Sequence, residues 1–216
     1  MGYVANYTEG LANFLLYSKK LANIKRWNAE FLYKKASVAE HCFYVAQIAQ
    51  LLGFIEEKDG ATIDWAKLYR KALNHDIKES CTGDILHNTK HKKPEVNNAL
   101  KIIETELSQE YILNKIHNEY YRNKIFDIIN EDKDDTLEGK LLAVADILDA
   151  MLECLFEIKL GNTVPFQDKY DYLEGMLWSR EFNNLKSVTA FIDNILPEIK
   201  EQMISYKENI ERKNIE

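Results

Sequence analysis

Apolar positions recur with helical spacing along almost the whole chain. Leu11, Phe14, Leu15 and Leu21 fall on one side of a 3.6-residue period and predict a first helix over about 9–24. Val38, His41, Val45, Ile48 and Leu52 advance in steps of three and four, and Ser37 with Glu40 three residues later has the signature of a capping box, so a second helix is expected over 37–54. Asp59-Gly60 marks a turn, after which Thr62 starts a third helix whose inward face reads Leu68, Ala72, His75 and Glu79. Pro94 opens a long helix to about 110, another follows over 112–130, and the run EDKDD between 131 and 135 is an exposed connection. The most apolar segment, 137–160, ends at Gly161-Asn162, and helices over 166–180 and 185–210 complete the chain, the last bent at Pro197. With 8 glycines and 3 prolines in 216 residues, sharp turns are few, and the expectation is an all-α bundle folded as one domain spanning 1–216.

Against this pattern a few polar residues stand on inward faces. His41 shares its stripe with Val38, Val45, Ile48 and Leu52, and His75 and Glu79 project together, with Asp76 about 100 degrees around the helix from His75. Asp146 lies between Ala143 and Ala150 in a helix that is apolar almost all round; Asp149, one turn on, is a rival for the same role. A bare buried carboxylate costs several kcal/mol unless paired or bound to a metal, and the spacing supplies no arginine or lysine to match. Taken singly, each histidine reads as an ordinary core or surface residue; taken together, two histidines and two aspartates from three helices read as a ligand set. Imidazole mixed with carboxylate suits Co, Mn, Mg, Zn, Fe or Ni at an open site better than structural zinc, whose sites are thiolate-rich. Such an ion acidifies a water and polarises a phosphoryl oxygen, which is hydrolytic chemistry.

Composition narrows the partners. A net charge of -7 argues against a nucleic acid polymer, whose phosphates call for a basic surface. Cys42, Cys81 and Cys154 are odd in number, scattered and without CxxC spacing, so they suggest neither a disulfide framework nor a zinc knuckle, and Cys42 and Cys81 are read as small fillers rather than nucleophiles. The N-terminal stretch lacks a secretory pattern and no segment approaches the roughly 20 apolar residues of a span, so a cytoplasmic protein without a membrane partner is expected. His87 and His91 stand four apart but among Lys90, Lys92 and Lys93, and are read as a solvated basic loop.

Together these residues resemble a known family. His41, the pair His75-Asp76, and Asp146 match the H…HD…D pattern of HD-domain metal phosphohydrolases. Arg26-Trp27, Ala39-Glu40-His41, HDIKESCTGD and ADILDAMLECLFEIKLGN are similar to the branch of bacterial 5'-deoxynucleotidases called YfbR-like, from about Leu11 onward. The HD pair alone is weak; its offset to Glu79 and Thr82-Gly83-Asp84, with the upstream Arg-Trp, is specific.

The resemblance implies an all-α HD-type bundle in which His41, His75, Asp76 and Asp146 hold one divalent ion. It implies that Glu79 positions or deprotonates the attacking water, that Asp84 contacts the sugar or assists that water, that Arg26 grips the phosphate, and that Trp27 packs against C2' of the sugar. The substrate it implies is a small nucleotide and the active form a homodimer. Two other readings stand beside it: a nucleoside triphosphate or other nucleotide pyrophosphohydrolase using the basic HNTKHKK loop, and a nucleotide-sensing HD module without turnover. The segment ILHNTKHKK after Asp84 departs from the family's usual turn with proline, which bears on the outer substrate contacts.

Overall fold

The computed structural model describes residues 6–90, 92–179 and 181–203. Its helices are α1 (Leu11–Lys20), α2 (Val38–Lys58), α3 (Trp65–Asn74), α4 (Glu79–Thr82), α5 (His87–Lys90), α6 (Pro94–Tyr111), α7 (Glu119–Asn130), α8 (Leu137–Lys159), α9 (Thr163–Leu177) and α10 (Lys186–Ala190). Among the described residues there is no strand, only an isolated antiparallel bridge between Lys25 and Ser37, so the all-α expectation holds.

The helix starts follow their side chains. Ser37 Oγ accepts from Glu40 N at 3.2 Å while the Glu40 carboxylate accepts from Ser37 N at 2.6 Å, closing the expected capping box on α2. The third helix starts two residues later than Thr62 suggested, because the Asp64 carboxylate accepts from Lys67 N at 2.9 Å and makes Asp64 the cap. That helix does not run on to Glu79. Asn74 Nδ2 donates to the Arg70 carbonyl at 2.8 Å, and beyond it the chain tightens into bonds three residues apart, Ile77 N to Asn74 O and Glu79 N to Asp76 O. His75 is therefore the last cap of α3 and Glu79 opens the separate turn α4. Gly161, at φ 100, takes the left-handed conformation that closes α8, as its position after the apolar run predicts. Ahead of Pro197, which has no N–H to continue the ladder, the backbone takes a π-helical turn over Phe191–Ile195. The expected stretch 204–210 and His91 lie outside the described residues.

α8 is the axis, packed against α2, α3 and α9, and α10 closes on α2. Two apolar clusters result. The larger gathers Val45, Ala46, Leu52, Leu68 and Ala72 with Leu141, Val144, Leu148 and Met151; the smaller gathers Leu21, Val38, Cys42, Ile77, Ile112 and Ile116. Each fully buried aliphatic side chain contributes about 1.5–3 kcal/mol to holding its helix in place. The chain passes from one cluster to the other between Cys42 and Val45 on α2 and again between Ala72 and Ile77 after α3, among other places. His41, His75 and Asp76 sit at those crossings, where the backbone is fixed from both sides. α2 is long and apolar enough to span a membrane by composition alone, yet one side of it lies in these clusters, while Phe43, Tyr44, Leu51 and Phe54 face outward.

Candidate active site

Four expected ligands meet between α2, the turn after α3, and α8. His41 Nε2 lies 3.2 Å from His75 Nε2, 3.0 Å from Asp146 Oδ1 and 3.5 Å from Asp76 Oδ2, and His75 Nε2 lies 3.3 Å from the same Asp76 oxygen. Nitrogens and oxygen of His41, His75 and Asp146 all fall within 4.8 Å of one another, the span one ion can bridge.

The ring partners decide which nitrogens carry hydrogen. His41 Nδ1 lies 2.6 Å from Asp149 Oδ2, and His75 Nδ1 lies 2.9 Å from the Ala72 carbonyl. Both partners accept only, so in each neutral ring the proton belongs on Nδ1. In the neutral rings the two Nε2 lone pairs then face each other with carboxylate oxygens on either side, a place for a positive charge, either a proton or a metal ion. A cation resolves that confrontation, and the donor set fits a divalent ion. The same field acts on protons: burial and Arg26 oppose a charge on His41, but Asp146 and Asp149 outweigh them and raise it to about 9. Asp146 is held well below the usual carboxylate range; burial opposes this, and Lys133 and His41 overcome it. Asp76 is held low in the same way, by His75 and His41 against burial.

Asp149 does not take the place of Asp146. It is the more buried of the two, and it orients the His41 ring from behind, the usual partner of a metal-binding histidine. The expectation that no cation matches the carboxylates is corrected: Lys133 Nζ lies against Asp146 Oδ2. It reaches there because the supposedly exposed EDKDD segment is drawn onto α3 by Lys71, which is buried.

Arg26 and Trp27 are joined by one acceptor that sequence reasoning missed. Glu153 Oε2 receives Arg26 Nε at 3.0 Å and Trp27 Nε1 at 2.8 Å. Trp27 is the one non-glycine residue with positive φ among the described residues, at 52 degrees, and its indole packs edge-on against Phe166 at 5.9 Å. Arg26 stays charged: burial opposes this, but Glu153 leads the carboxylates that overcome it, and Asp146 and Asp76 are among them, so the guanidinium lies within electrostatic reach of the cluster. Further along α8, Glu157 accepts from Tyr33 N at 3.0 Å and Lys34 N at 2.9 Å, pinning the same loop. Asp149, Glu153 and Glu157 thus form a ladder four residues apart. Acidic positions at that period inside an apolar helix are the signal that would have revealed it.

Glu79 is buried beside the cluster. Burial first, then Asp76 and Asp84, push its carboxyl up to about 9, with Lys90 and Arg26 pulling the other way. Lys90 Nζ lies 3.5 Å from Glu79 and 3.1 Å from Glu104 on α6, a contact the basic loop brings that its sequence did not announce. Asp84 is raised by burial, opposed by Arg26, and its carbonyl accepts from Asn28 Nδ2 at 2.8 Å, which fastens it to the Arg26-Trp27 loop. Cys42 stands near His75 and Asp76, but burial first, then Asp76 and Glu79, push its thiol far up, so it remains a neutral filler.

Residues 13–199 match the family model described as 5'-deoxynucleotidase YfbR-like. A 5'-deoxynucleotidase of Shewanella oneidensis is 29% identical over 188 residues, 87% of this chain and 93% of that protein. The 5'-deoxynucleotidase YfbR of Escherichia coli is 28% identical, over 70% of this chain and 75% of its own. Among solved structures, an HD-domain phosphohydrolase from Listeria innocua superposes with a TM-score of 0.79 at 32% identity, over 91% of this chain and 90% of that one. The HD phosphohydrolase of cyanophage S-2L, solved with dA and one catalytic Zn2+, shares the fold at a TM-score of 0.57 and 17% identity, over 88% of this chain and 96% of its own.

Proposed function

Because the chain belongs to the 5'-deoxynucleotidase YfbR-like family, we propose that it hydrolyses the 5'-phosphate of deoxynucleoside monophosphates to deoxynucleoside and inorganic phosphate, as the names of its relatives suggest. The observation that carries this reading is the pair of facing Nε2 atoms of His41 and His75, 3.2 Å apart and flanked by Asp76 and Asp146. These four residues would hold one divalent ion, whose chemistry there would be to acidify a water and neutralise charge on the phosphoryl oxygens. Glu79 would accept the water's proton in the loaded site, where the ion's charge offsets the burial and the Asp76 and Asp84 carboxylates that otherwise keep it protonated. Arg26 meets the phosphate with the guanidinium edge that Glu153 leaves free. The water oxygen bonds to phosphorus as the bond to the 5' oxygen breaks, and that oxygen leaves as the nucleoside hydroxyl with the proton that Glu79 took from the water. Asp84 meets the sugar or steadies the water. Trp27, held by Glu153 and Phe166, closes the space beside C2' so that a ribose hydroxyl does not fit.

Residues 1–216 are read as one HD domain, cytoplasmic, and working as a homodimer; the outward apolar side chains of α2 support the last. The test is phosphate release from deoxy- and ribonucleoside mono- and triphosphates by metal-stripped protein resupplied with Co, Mn, Mg or Zn, with His75→Ala and Glu79→Ala alongside. Release from deoxy monophosphates, lost in both variants, is the expected result. Turnover of triphosphates alone overturns the reading in favour of a pyrophosphohydrolase, and silence despite bound metal overturns it in favour of a sensing module.

A further inference from the structure

Between α7 and α8 the chain reads Glu131-Asp132-Lys133-Asp134-Asp135-Thr136, and α3 fastens it at both ends and in the middle. Arg70 Nε and Nη2 donate to Glu131 at 3.0 and 3.3 Å, and Lys67 Nζ donates to Thr136 Oγ1 at 3.1 Å. Lys71, 1% exposed, donates to the Asp132 carbonyl and, at 3.0 Å, to Asp134 Oδ2. A buried ammonium costs several kcal/mol without partners, so these two contacts are conditions of the fold rather than decoration. From the other side α8 leaves room for the loop: a Cβ on Gly139 would stand 2.1 Å from Asp134 Oδ1 and 2.4 Å from the Asp134 carbonyl. Residue 133 is therefore gripped on each flank, with its side chain reaching across to α8.

That side chain ends on Asp146. Lys133 Nζ takes Oδ2, while Oδ1 faces His41 Nε2 at 3.0 Å. We propose that Lys133 is a positioning residue for the metal site: by holding Oδ2 it presents a single oxygen of Asp146 to the ion, and Lys71 sets the loop that makes this possible. The inference rests on the reading of Asp146 as a metal ligand. Its consequence is a trade. The ammonium competes with the ion for the carboxylate's charge and so weakens metal binding, but it keeps Asp146 from occupying a second coordination position that water and phosphate need.

The experiment compares Co2+-loaded wild type, Lys133→Met and Lys133→Arg by Co2+ titration and visible absorption. Lys133 is 43% exposed in its side chain, so its replacement leaves the core intact. In Lys133→Met, Asp146 offers both oxygens: with the competing ammonium gone, the Kd for Co2+ falls by roughly tenfold, the Co2+ bands weaken as coordination number rises, and kcat falls with KM unchanged. Lys133→Arg keeps the wild-type spectrum and Kd. Unchanged spectrum and affinity in Lys133→Met, or weaker Co2+ binding, overturns the inference; so does a rise in KM alone, which makes Lys133 a direct phosphate contact. A wild type that takes up no Co2+, or an Asp146→Ala variant that takes it up equally well, overturns the metal reading itself and is seen before Lys133 is tested.

Discussion

Replacing Glu153 tests whether the Arg26-Trp27 pair is assembled by one carboxylate. Its Oε2 receives two donors, at 3.0 Å from Arg26 and 2.8 Å from Trp27, and the Arg26 and Glu153 side chains are only 13% and 16% exposed. Hydrogen bonds involving a charged group contribute about 1.5–3 kcal/mol each. Glu153→Ala leaves a part-buried guanidinium without its counter-charge, a loss of about 3–5 kcal/mol in stability. It also frees Trp27 from a left-handed backbone conformation that costs a non-glycine residue about 1–2 kcal/mol, so the indole relaxes away from its present place. If that relaxation removes the contribution of one charged contact from the transition state, kcat/KM for a deoxynucleoside monophosphate falls about 10- to 150-fold, at about 1.4 kcal/mol per decade. Glu153→Gln keeps an acceptor but not the charge and falls between. The assay pairs initial rates of phosphate release from dAMP and AMP with a thermal melt, and the preference for the deoxy substrate shrinks as Trp27 loosens. A folded Glu153→Ala protein with kcat/KM within about twofold of wild type and its selectivity intact would refute the reasoning.

Asp149→Ala removes the acceptor on His41 Nδ1 and lowers metal affinity by about 10- to 100-fold, measured by Co2+ titration; Asp149→Asn, which can still accept, loses less. Glu79 sets a pH dependence of definite sign. Its folded carboxyl, pushed up to about 9 by burial and by Asp76 and Asp84, is neutral where the unfolded one is ionised, so its contribution to stability is full below about 4.5 and is lost as pH rises through about 9. In metal-stripped protein the Tm of Glu79→Gln should therefore gain on wild type between pH 5 and 9, and a constant difference counts against the buried, raised carboxyl. In the metal-loaded enzyme the ion's charge brings that value down, and kcat/KM rises with pH on a limb that Glu79→Gln abolishes. Gly139→Ala drives a methyl group into Asp134 and costs about 1–3 kcal/mol, or roughly 2–4 °C of Tm per kcal/mol for a chain of this size, read in a thermal melt.

Much of this candidate site was legible because the residues proposed as ligands interrupt helical stripes. His41 and Asp146 are conspicuous among alanines, leucines and valines, and the capping box at Ser37 placed the start of α2. The residues that orient the ligands were not legible in the same way. Glu153 and Glu157 look like solvated positions on a helix until the loop from 25 to 36 is folded over them, and that loop is irregular, with a left-handed Trp27 that no periodicity predicts. Lys133 sits in a run of charges that reads as exposed connection; only Lys71, buried on the far side of α3, reveals why the run turns inward. The break after Asn74 was hidden for a related reason, since a side-chain amide bonding to the Arg70 carbonyl leaves hydrophobic spacing unchanged while ending the helix.

The central claim is that His41, His75, Asp76 and Asp146 hold a single divalent ion. Metal content by elemental analysis, after equilibration with Co2+ and removal of the excess, tests it directly in wild type and in the four single alanine variants. The account predicts one ion per chain in wild type and a clear deficit in each folded variant. Full occupancy retained in His75→Ala and Asp146→Ala would contradict it.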